Sequence, residues 1–246
     1  KGNELNHIPP LIGQLTALTE LDLGGNLLNA LPIEMVQLDQ LNGLYLQGNL
    51  FTIFPEAIGQ LRQLKRLALS GNQISEWPLE NGQYTELTEL DLGYNQFSSV
   101  PDKIGQLQKL QKLNLRSNHL NQLPASIGNL FQLTQLDLGH NQLIDLSFDT
   151  RQLSQLESLT LDGNQFTDVP TSIGLLKHLS KLNLANNRLT SLPQELNQLS
   201  QLKVLNLNGN NLTHLPEAIV ELPLLESLDV RGNQLTTPPQ KVADKG

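Results

Sequence analysis

The stretch LTELDLGYNQFSSVPDKIGQL, residues 87–107, decides the fold because it recurs with small changes along the whole chain. Asn recurs every 23 residues on both sides of Asn95, from Asn3 to Asn233, and no insertion or deletion interrupts the series. Leu stands five residues before each Asn from Asn26 onward. Pro stands six residues after ten of these eleven Asn residues, and Ser147 is the exception. A fixed period of this length indicates a repeat architecture with one structural unit every 23 residues.

Each unit reads L-x-x-L-x-L-x-x-N-x-L-x-x-L-P-x-x-I-G-x-L-x-x. The L-x-L alternation has a period of two, so it predicts a short strand with both leucines on one face. Because all units run in the same direction, successive strands must pair in parallel, and the remainder of each unit is the crossover. The segment that starts at Pro55 predicts a short helix or 3₁₀ turn, with Ile58 and Leu61 pointing inward.

The repeated Asn follows the strand, where the chain turns under itself. Buried turns leave backbone N–H and C=O groups that need partners. An Asn amide both donates and accepts, so a stack of these residues is expected to bond to the backbone of neighbouring coils. We therefore interpret the repeated Asn and Leu as structural residues, not as a functional site.

The signature L-x-x-L-x-L-x-x-N-x-L resembles that of the leucine-rich repeat (LRR) family. Its 23-residue form with L-P-x-x-I-G-x-L is similar to LRR proteins of bacteria and to intracellular LRR proteins related to the Ras-binding group. The resemblance implies an α/β fold: a right-handed solenoid (horseshoe) with a parallel β-sheet on the concave face and short helices or 3₁₀ turns on the convex side. We expect a single solenoid over residues 1–246, with about ten repeats and partial coils at both ends. The resemblance also implies a general role in gripping other proteins.

Two units depart from the pattern. After Asn72, Asn81 and Tyr84 replace aliphatic residues and Trp77 precedes the proline, which predicts a local repacking around large aromatic rings. After Asn141, Ser147, Thr150 and Arg151 replace Pro, Ile and Gly. We expect that coil to survive with a different convex loop.

Composition excludes several classes of protein. The net charge of −8 argues against a general nucleic-acid or anionic-membrane binder. The chain has no cysteine, so it has no disulfide, thiolate metal site or cysteine nucleophile. No run of 18 apolar residues is present, which predicts no membrane insertion. The compartment stays open between cytoplasmic and secreted. Because the chain starts at Lys1, we interpret it as a trimmed fragment.

The residues that flank the strand leucines point away from the core in three rows, and a fourth row stands next to the repeated Asn. We expect the middle of this concave face to form a polar, partly basic patch with aromatic side chains, the kind of surface that anchors protein partners. The alternative is a solvated ladder of ion pairs, with Arg66, Glu89 and Lys112 in lateral alternation. The predicted partner-binding residues are Tyr45, Arg66, Glu89, Tyr94, Lys112, Arg116, His140, Asp162 and Lys181.

No pattern of residues predicts catalysis, a cofactor or a metal site. The chain has no G-x-x-x-x-G-K-[ST], H-E-x-x-H or G-x-G-x-x-G motif. His119, His140 and Asp162 lie on successive coils, but the two His positions are expected roughly 7–9 Å apart by strand geometry, too far for ready convergence on one ion. The sequence therefore predicts a non-catalytic protein-binding module. The alternatives are the recognition part of a multidomain enzyme, or a structural protein that self-associates through uncapped ends.

Overall fold

The computed structural model describes residues 2–79, 83–146 and 148–236, so Asn81, Ser147 and Pro239 lie outside the described residues. Within that range ten strands of three residues form one parallel sheet in chain order. The strands are β1 (Glu20–Asp22), β2 (Gly43–Tyr45), β3 (Arg66–Ala68), β4 (Glu89–Asp91), β5 (Lys112–Asn114), β6 (Gln135–Asp137), β7 (Ser158–Thr160), β8 (Lys181–Asn183), β9 (Val204–Asn206) and β10 (Ser227–Asp229). Each residue pairs with the one 23 positions on, as in Leu21 with Leu44. Below, coil n is the unit that starts with βn. The extent of the solenoid beyond the described residues stays a prediction.

The crossovers are short 3₁₀ turns, as the sequence predicts. A proline precedes most of these turns and fixes the extended backbone before them, as Pro55 does with φ −65°. Ile58 and Leu61 are buried, which confirms their inward orientation. In the described residues the 3₁₀ turns are Pro10–Gln14, Ile33–Gln37, Glu56–Gln60, Asp102–Gln106, Ala125–Asn129, Thr150–Gln152, Thr171–Leu175, Gln194–Gln198 and Glu217–Ile219.

Glycine in these turns allows the coils to stack closely. A Cβ on Gly174 would lie 2.4 Å from the Glu195 carbonyl oxygen in the next coil, and one on Gly13 would lie 2.5 Å from that of Glu34. Both distances are far below van der Waals contact. At these two positions the spacing between coils therefore requires glycine, in addition to its limiting the length of the turn.

Each repeated Asn from Asn49 onward joins its own coil to the coil before it. Asn49 Nδ2 donates to the carbonyl oxygens of Leu23 and Leu46 at 3.0 Å, and its Oδ1 accepts from the Leu28 N–H at 3.0 Å. The same pattern continues to Asn233. Asn26 to Asn210 are all buried. The expected bonding of the Asn stack to the neighbouring backbone is confirmed.

The leucines of all the coils make one continuous core, and one block of it is aromatic. The ring centroids of Phe54, Trp77 and Tyr84 lie 6.0–6.2 Å from one another, and all three rings are buried. Burial raises the pKa of the Tyr84 hydroxyl. The predicted aromatic repacking is confirmed for these residues.

The irregular coil 6 keeps its core and changes its loop. Leu153 stays buried, while the 3₁₀ turn shrinks to Thr150–Gln152. Asp149 takes the N-cap position that Pro holds elsewhere and accepts a hydrogen bond from the Arg151 N–H. Thr150 Oγ1 donates to the Ser172 carbonyl at 3.0 Å, which ties the altered loop to coil 7.

Both ends of the described stack leave apolar side chains in solvent. Leu11 and Leu15 are exposed at the N-terminal end, and Leu224 and Leu228 at the C-terminal end. Leu15 and Leu228 stand at phases that are buried in the interior coils, so a further coil at either end would cover them. Among the described residues, no helix has the length and apolar character needed to cross a bilayer.

Candidate functional site on the concave strand face

The outward side of the sheet is the face that the sequence predicts to be concave, and it is called the concave strand face below. A depression of about 430 Å³ crosses it from β2 to β7. Four of the predicted site residues line this depression, namely Tyr45, Arg66, Glu89 and Lys112. Tyr94, Arg116, His140 and Asp162 follow the carboxyl ends of the strands; these four are called the edge cluster below. Lys181 lies outside the depression, at the start of β8. The structure therefore divides the predicted residues into a depression, an edge cluster and one outlying lysine.

The central of the three outward rows starts at Asp22 and recurs every 23 residues. Most of its side chains are structural, which corrects the expectation that they are free for contacts. Seven of its ten residues are Asp or Asn, and each accepts a hydrogen bond from the backbone N–H two residues later. They are Asp22, Asp91, Asn114, Asp137, Asn183, Asn206 and Asp229. A short polar side chain is favoured here because it closes a local turn at the end of the strand. Tyr45 and Ala68 are adjacent exceptions, and the small Ala68 deepens the depression beside the Tyr45 ring.

Ion pairs involve the side chains at the first residue of the strands that line the depression. Lys112 Nζ lies 2.9 Å from Glu89 Oε1, as the predicted lateral alternation implies. Arg66 does not complete that ladder. Its guanidinium reaches over Gly43 to Glu20, two coils away, and the Tyr45 side chain also interacts with it.

The edge cluster is built on a bidentate ion pair between coils 5 and 7. Arg116 Nη1 and Nη2 donate to Asp162 Oδ1 and Oδ2, both at 2.9 Å. His140 Nε2 lies 3.0 Å from Asp162 Oδ2, and Arg116 Nη1 lies 3.5 Å from Asp137 Oδ1. The side chains of Arg116 and Asp162 are only 23% and 9% exposed. The hydrogen bonds that Arg116 donates to Asp162 raise the pKa of Arg116, whereas burial raises the pKa of Asp137.

Gly139 makes room for this ion pair. A Cβ at that position would lie 2.3 Å from Arg116 Nη1 and 2.6 Å from Asp162 Oδ1. The guanidinium therefore crosses coil 6 where the chain has no side chain. Sequence reasoning selected Arg116 and Asp162 separately but not their pairing, because the two residues are 46 positions apart.

The residue before each repeated Asn holds a left-handed backbone conformation, with φ from 52° to 70° in all eleven units. Seven of these residues are glycine. The others are Tyr94, Ser117, His140 and Asn186. L-residues other than glycine pay roughly 1 kcal/mol for this conformation. Three of the four follow one another in coils 4 to 6, beside Arg116. The recurrence of glycine at this phase was the sequence signal for the backbone conformation. Ser117 and Asn186 are the residues of this series that the predicted site lacked.

The expected partly basic character of the middle patch is wrong, since its cations are paired with carboxylates. Arg66 pairs with Glu20, Lys112 with Glu89 and Arg116 with Asp162. No ion pair involves Lys181 within the described parts of the chain. The face offers neutralised polar groups and the exposed ring of Tyr94, which is 57% accessible.

The described residues contain no group of three His, Asp or Glu side chains placed to hold a metal ion. His140 Nε2 lies 3.0 Å from Asp162 Oδ2, and Arg116 occupies both oxygens of Asp162. This arrangement suits a fixed recognition surface, since its polar groups are already oriented before any ligand binds.

Comparison with known proteins finds similarity along the whole repeat. A profile of the Leucine rich repeat family matches residues 16–74, 85–143 and 177–235. The structure of an LRR protein of Leptospira interrogans has 36% sequence identity and a TM-score of 0.84, and the match covers 99% of this chain and 67% of that one. No curated protein sequence matches the chain.

Two complexes also match. The LRR ectodomain of the Arabidopsis thaliana membrane receptor kinase GASSHO1/SCHENGEN3, solved with CASPARIAN STRIP INTEGRITY FACTOR 2, has 29% identity and a TM-score of 0.68 over 93% of this chain. The PEPR1–AtPEP1 complex has 26% identity and a TM-score of 0.76 over 98% of this chain. The matches span 32% and 39% of those two chains. Proteins of this fold generally serve as interaction modules and not as catalysts.

Proposed function

The chain belongs to the leucine-rich repeat family, and from this membership we propose that it is a non-catalytic module that binds a protein or peptide partner on its concave strand face. One similar structure is a plant LRR ectodomain in complex with CASPARIAN STRIP INTEGRITY FACTOR 2, and another is described as PEPR1–AtPEP1. Those names describe the relatives alone. They support a protein partner for this chain as a class.

The edge cluster is the observation that carries the proposal. Two of its members, Tyr94 and His140, and the nearby Ser117 hold a backbone conformation for which seven other units use glycine. The solenoid itself does not require these side chains, because glycine satisfies the same turn elsewhere. Strained positions of this kind tend to collect at functional sites, where the side chain repays its cost. Tyr, Arg and His beside one another also resemble the anchors of protein interfaces.

The depression and the edge cluster have different roles in this proposal. The depression, with Tyr45, Arg66, Glu89 and Lys112, is wide enough to receive side chains of an extended partner. Arg116 and Asp162 hold the edge cluster in one arrangement, so that Tyr94 and His140 meet the partner with little loss of side-chain entropy. Lys181 would contact only a partner that extends as far as coil 8.

Site-specific photo-crosslinking tests the location of the site. A photoreactive phenylalanine analogue replaces Tyr94 in one sample and Asp102 in another, and each protein is exposed to extract from its source cells. Asp102 is exposed on the 3₁₀ turn of the same coil, so it provides a matched position off the strand face. We expect a discrete protein adduct from position 94 only. Adducts from position 102 alone, or from neither position, would contradict the proposal.

Self-association through the ends is the second candidate function. It is favoured by the exposed Leu11 and Leu15 at one end and Leu224 and Leu228 at the other. Sedimentation velocity at several concentrations distinguishes it, because contact through the ends predicts a sedimentation coefficient that rises with concentration. Replacing Leu11 and Leu15 by Ser should then abolish that rise.

The third candidate is the recognition part of a larger protein with its own catalytic domain. One similar structure is the ectodomain of a membrane receptor kinase, and the match covers 32% of that chain. The full open reading frame on both sides of residues 1–246 decides this point.

A further inference from the structure

An aliphatic recess opens on the flank of coils 1 and 2, away from the strand face. It has a volume of about 180 Å³ and is lined by Ala30, Ile33, Ile53, Glu56 and neighbouring residues. Ile33 and Ile53 are 53% and 73% exposed, the latter the highest exposure among the large apolar side chains of the described residues. Ala30, Ile33, Ile53 and Glu56 are called the flank recess below.

The repeat provides an internal comparison for this surface. A similar recess forms between coils 4 and 5, where its lining includes Ser99, Asp102 and Gln122. Ser99 stands at the phase of Ile53, and Asp102 stands at the phase of Ile33 and Glu56. The fold therefore forms this recess equally well with polar side chains. Aliphatic residues at the first recess are not required by the core, and their exposure needs another explanation.

Two carboxylates adjoin the flank recess. Coils 1 and 2 (residues 20–65) contain five carboxylates and two cations, Arg62 and Lys65, neither of which lines the recess. Glu56 lines the recess, and Glu34 directly follows Ile33. Neither carboxylate makes an ion pair within the described residues. An apolar surface bordered by unpaired carboxylates is complementary to a segment that carries both apolar and basic side chains.

We propose that the flank recess binds a basic, amphipathic segment of a partner protein. An aliphatic or aromatic side chain of that segment enters between Ile33 and Ile53, and its Lys or Arg residues pair with Glu34 and Glu56. This surface is separate from the concave strand face, so the chain would hold two partners, or two parts of one partner, at once. The inference does not depend on the function proposed for the edge cluster.

Calorimetric titration with two synthetic peptides tests the inference at physiological ionic strength. One is an amphipathic helix of Leu and Lys, and the other has Glu in place of every Lys. We expect the Lys peptide to bind the whole chain at one site and the Glu peptide not to bind. Absence of binding by the Lys peptide would overturn the proposal.

Variants distinguish binding at the flank recess from nonspecific attraction of the Lys peptide to a chain of net charge −8. Ile33→Ser with Ile53→Ser leaves the charge unchanged and should weaken binding at least about tenfold, the size of effect expected from losing a buried aliphatic contact. Glu56→Lys should weaken binding more than Asp102→Lys, which changes the net charge equally at the polar recess. Unchanged binding by the double Ile variant, or equal effects of the two Lys variants, would overturn the proposal. Thermal unfolding of each variant confirms that the exposed substitutions leave the fold intact.

Discussion

Arg116 holds both carboxylate oxygens of Asp162 at 2.9 Å across an intervening coil. This pair links coils 5 and 7, which share no backbone ladder, and it also positions His140 through Asp162 Oδ2. A bidentate Arg–carboxylate pair fixes direction as well as distance. The concave strand face therefore has one rigid polar centre, and it lies beside the most exposed aromatic residue of that face.

Gly139→Ala tests whether the ion pair depends on the empty space in coil 6. The new methyl group would displace Arg116 and leave the poorly exposed Asp162 with His140 alone, so we expect a loss of about 2 kcal/mol in the free energy of unfolding. Urea denaturation measures it. Ala185 stands in the equivalent place in coil 8, which shows that the backbone itself accepts Ala there. A Gly139→Ala variant as stable as the natural chain would show that the pair readily moves aside.

Tyr94→Gly and Tyr94→Ala together separate backbone strain from side-chain contacts. Both variants lose the ring, but only Ala retains the cost of the left-handed backbone at φ 53°. We expect the Gly variant to be more stable than the Ala variant by about 1 kcal/mol. Thermal unfolding of the two proteins measures the difference. Equal stability would mean that position 94 carries no strain, which would weaken the functional argument for the edge cluster.

Asp137→Asn tests the cost of the ionised carboxylate next to Arg116. Burial raises the pKa of Asp137, so folding favours its protonated form. The natural chain should therefore gain stability relative to the Asn variant as the pH falls through the folded-state pKa, and lose that gain as the pH rises. At neutral pH we expect the Asn variant to be at least as stable as the natural chain.

The equivalent residues Asn114, Asn183 and Asn206 already accept the same backbone hydrogen bond as Asp137, so the substitution preserves that contact. Chemical denaturation at a series of pH values gives the comparison. A difference in stability that favours the natural chain more at neutral than at acidic pH would reverse the expected sign.

Asn118→Ala tests the Asn stack. The change removes hydrogen bonds to the carbonyls of Leu92 and Leu115 and from the Phe97 N–H, all within the buried core. Leaving these groups unpaired should cost about 2–4 kcal/mol. Asn233→Ala should cost less, because its partly buried position lets water replace the lost bonds. Equal losses at the two positions would contradict a cost set by burial.

The fold of one coil could be predicted because the sequence pattern that forms it is local and recurs every 23 residues. Leu, Asn and Pro recur at fixed phases, so strand, buried turn and 3₁₀ turn follow from one unit. The Asp and Asn residues of the central row were harder to interpret, since their variation looks like surface freedom although each closes its own turn. Contacts across two coils could not be predicted. The reach of Arg66 to Glu20 and of Arg116 to Asp162 depends on glycine in the coil between them, which a single unit does not reveal.

The most direct test of the account is the affinity of the double variant Tyr94→Gly with His140→Gly for the partner captured at position 94, measured by calorimetry beside the natural chain. Glycine fits the backbone at both places, so the fold should remain intact while the exposed side chains are lost. We expect at least about tenfold weaker binding, as when interface anchors are removed. Unchanged affinity in a variant with unchanged unfolding would contradict the claim that this edge of the concave strand face binds the partner.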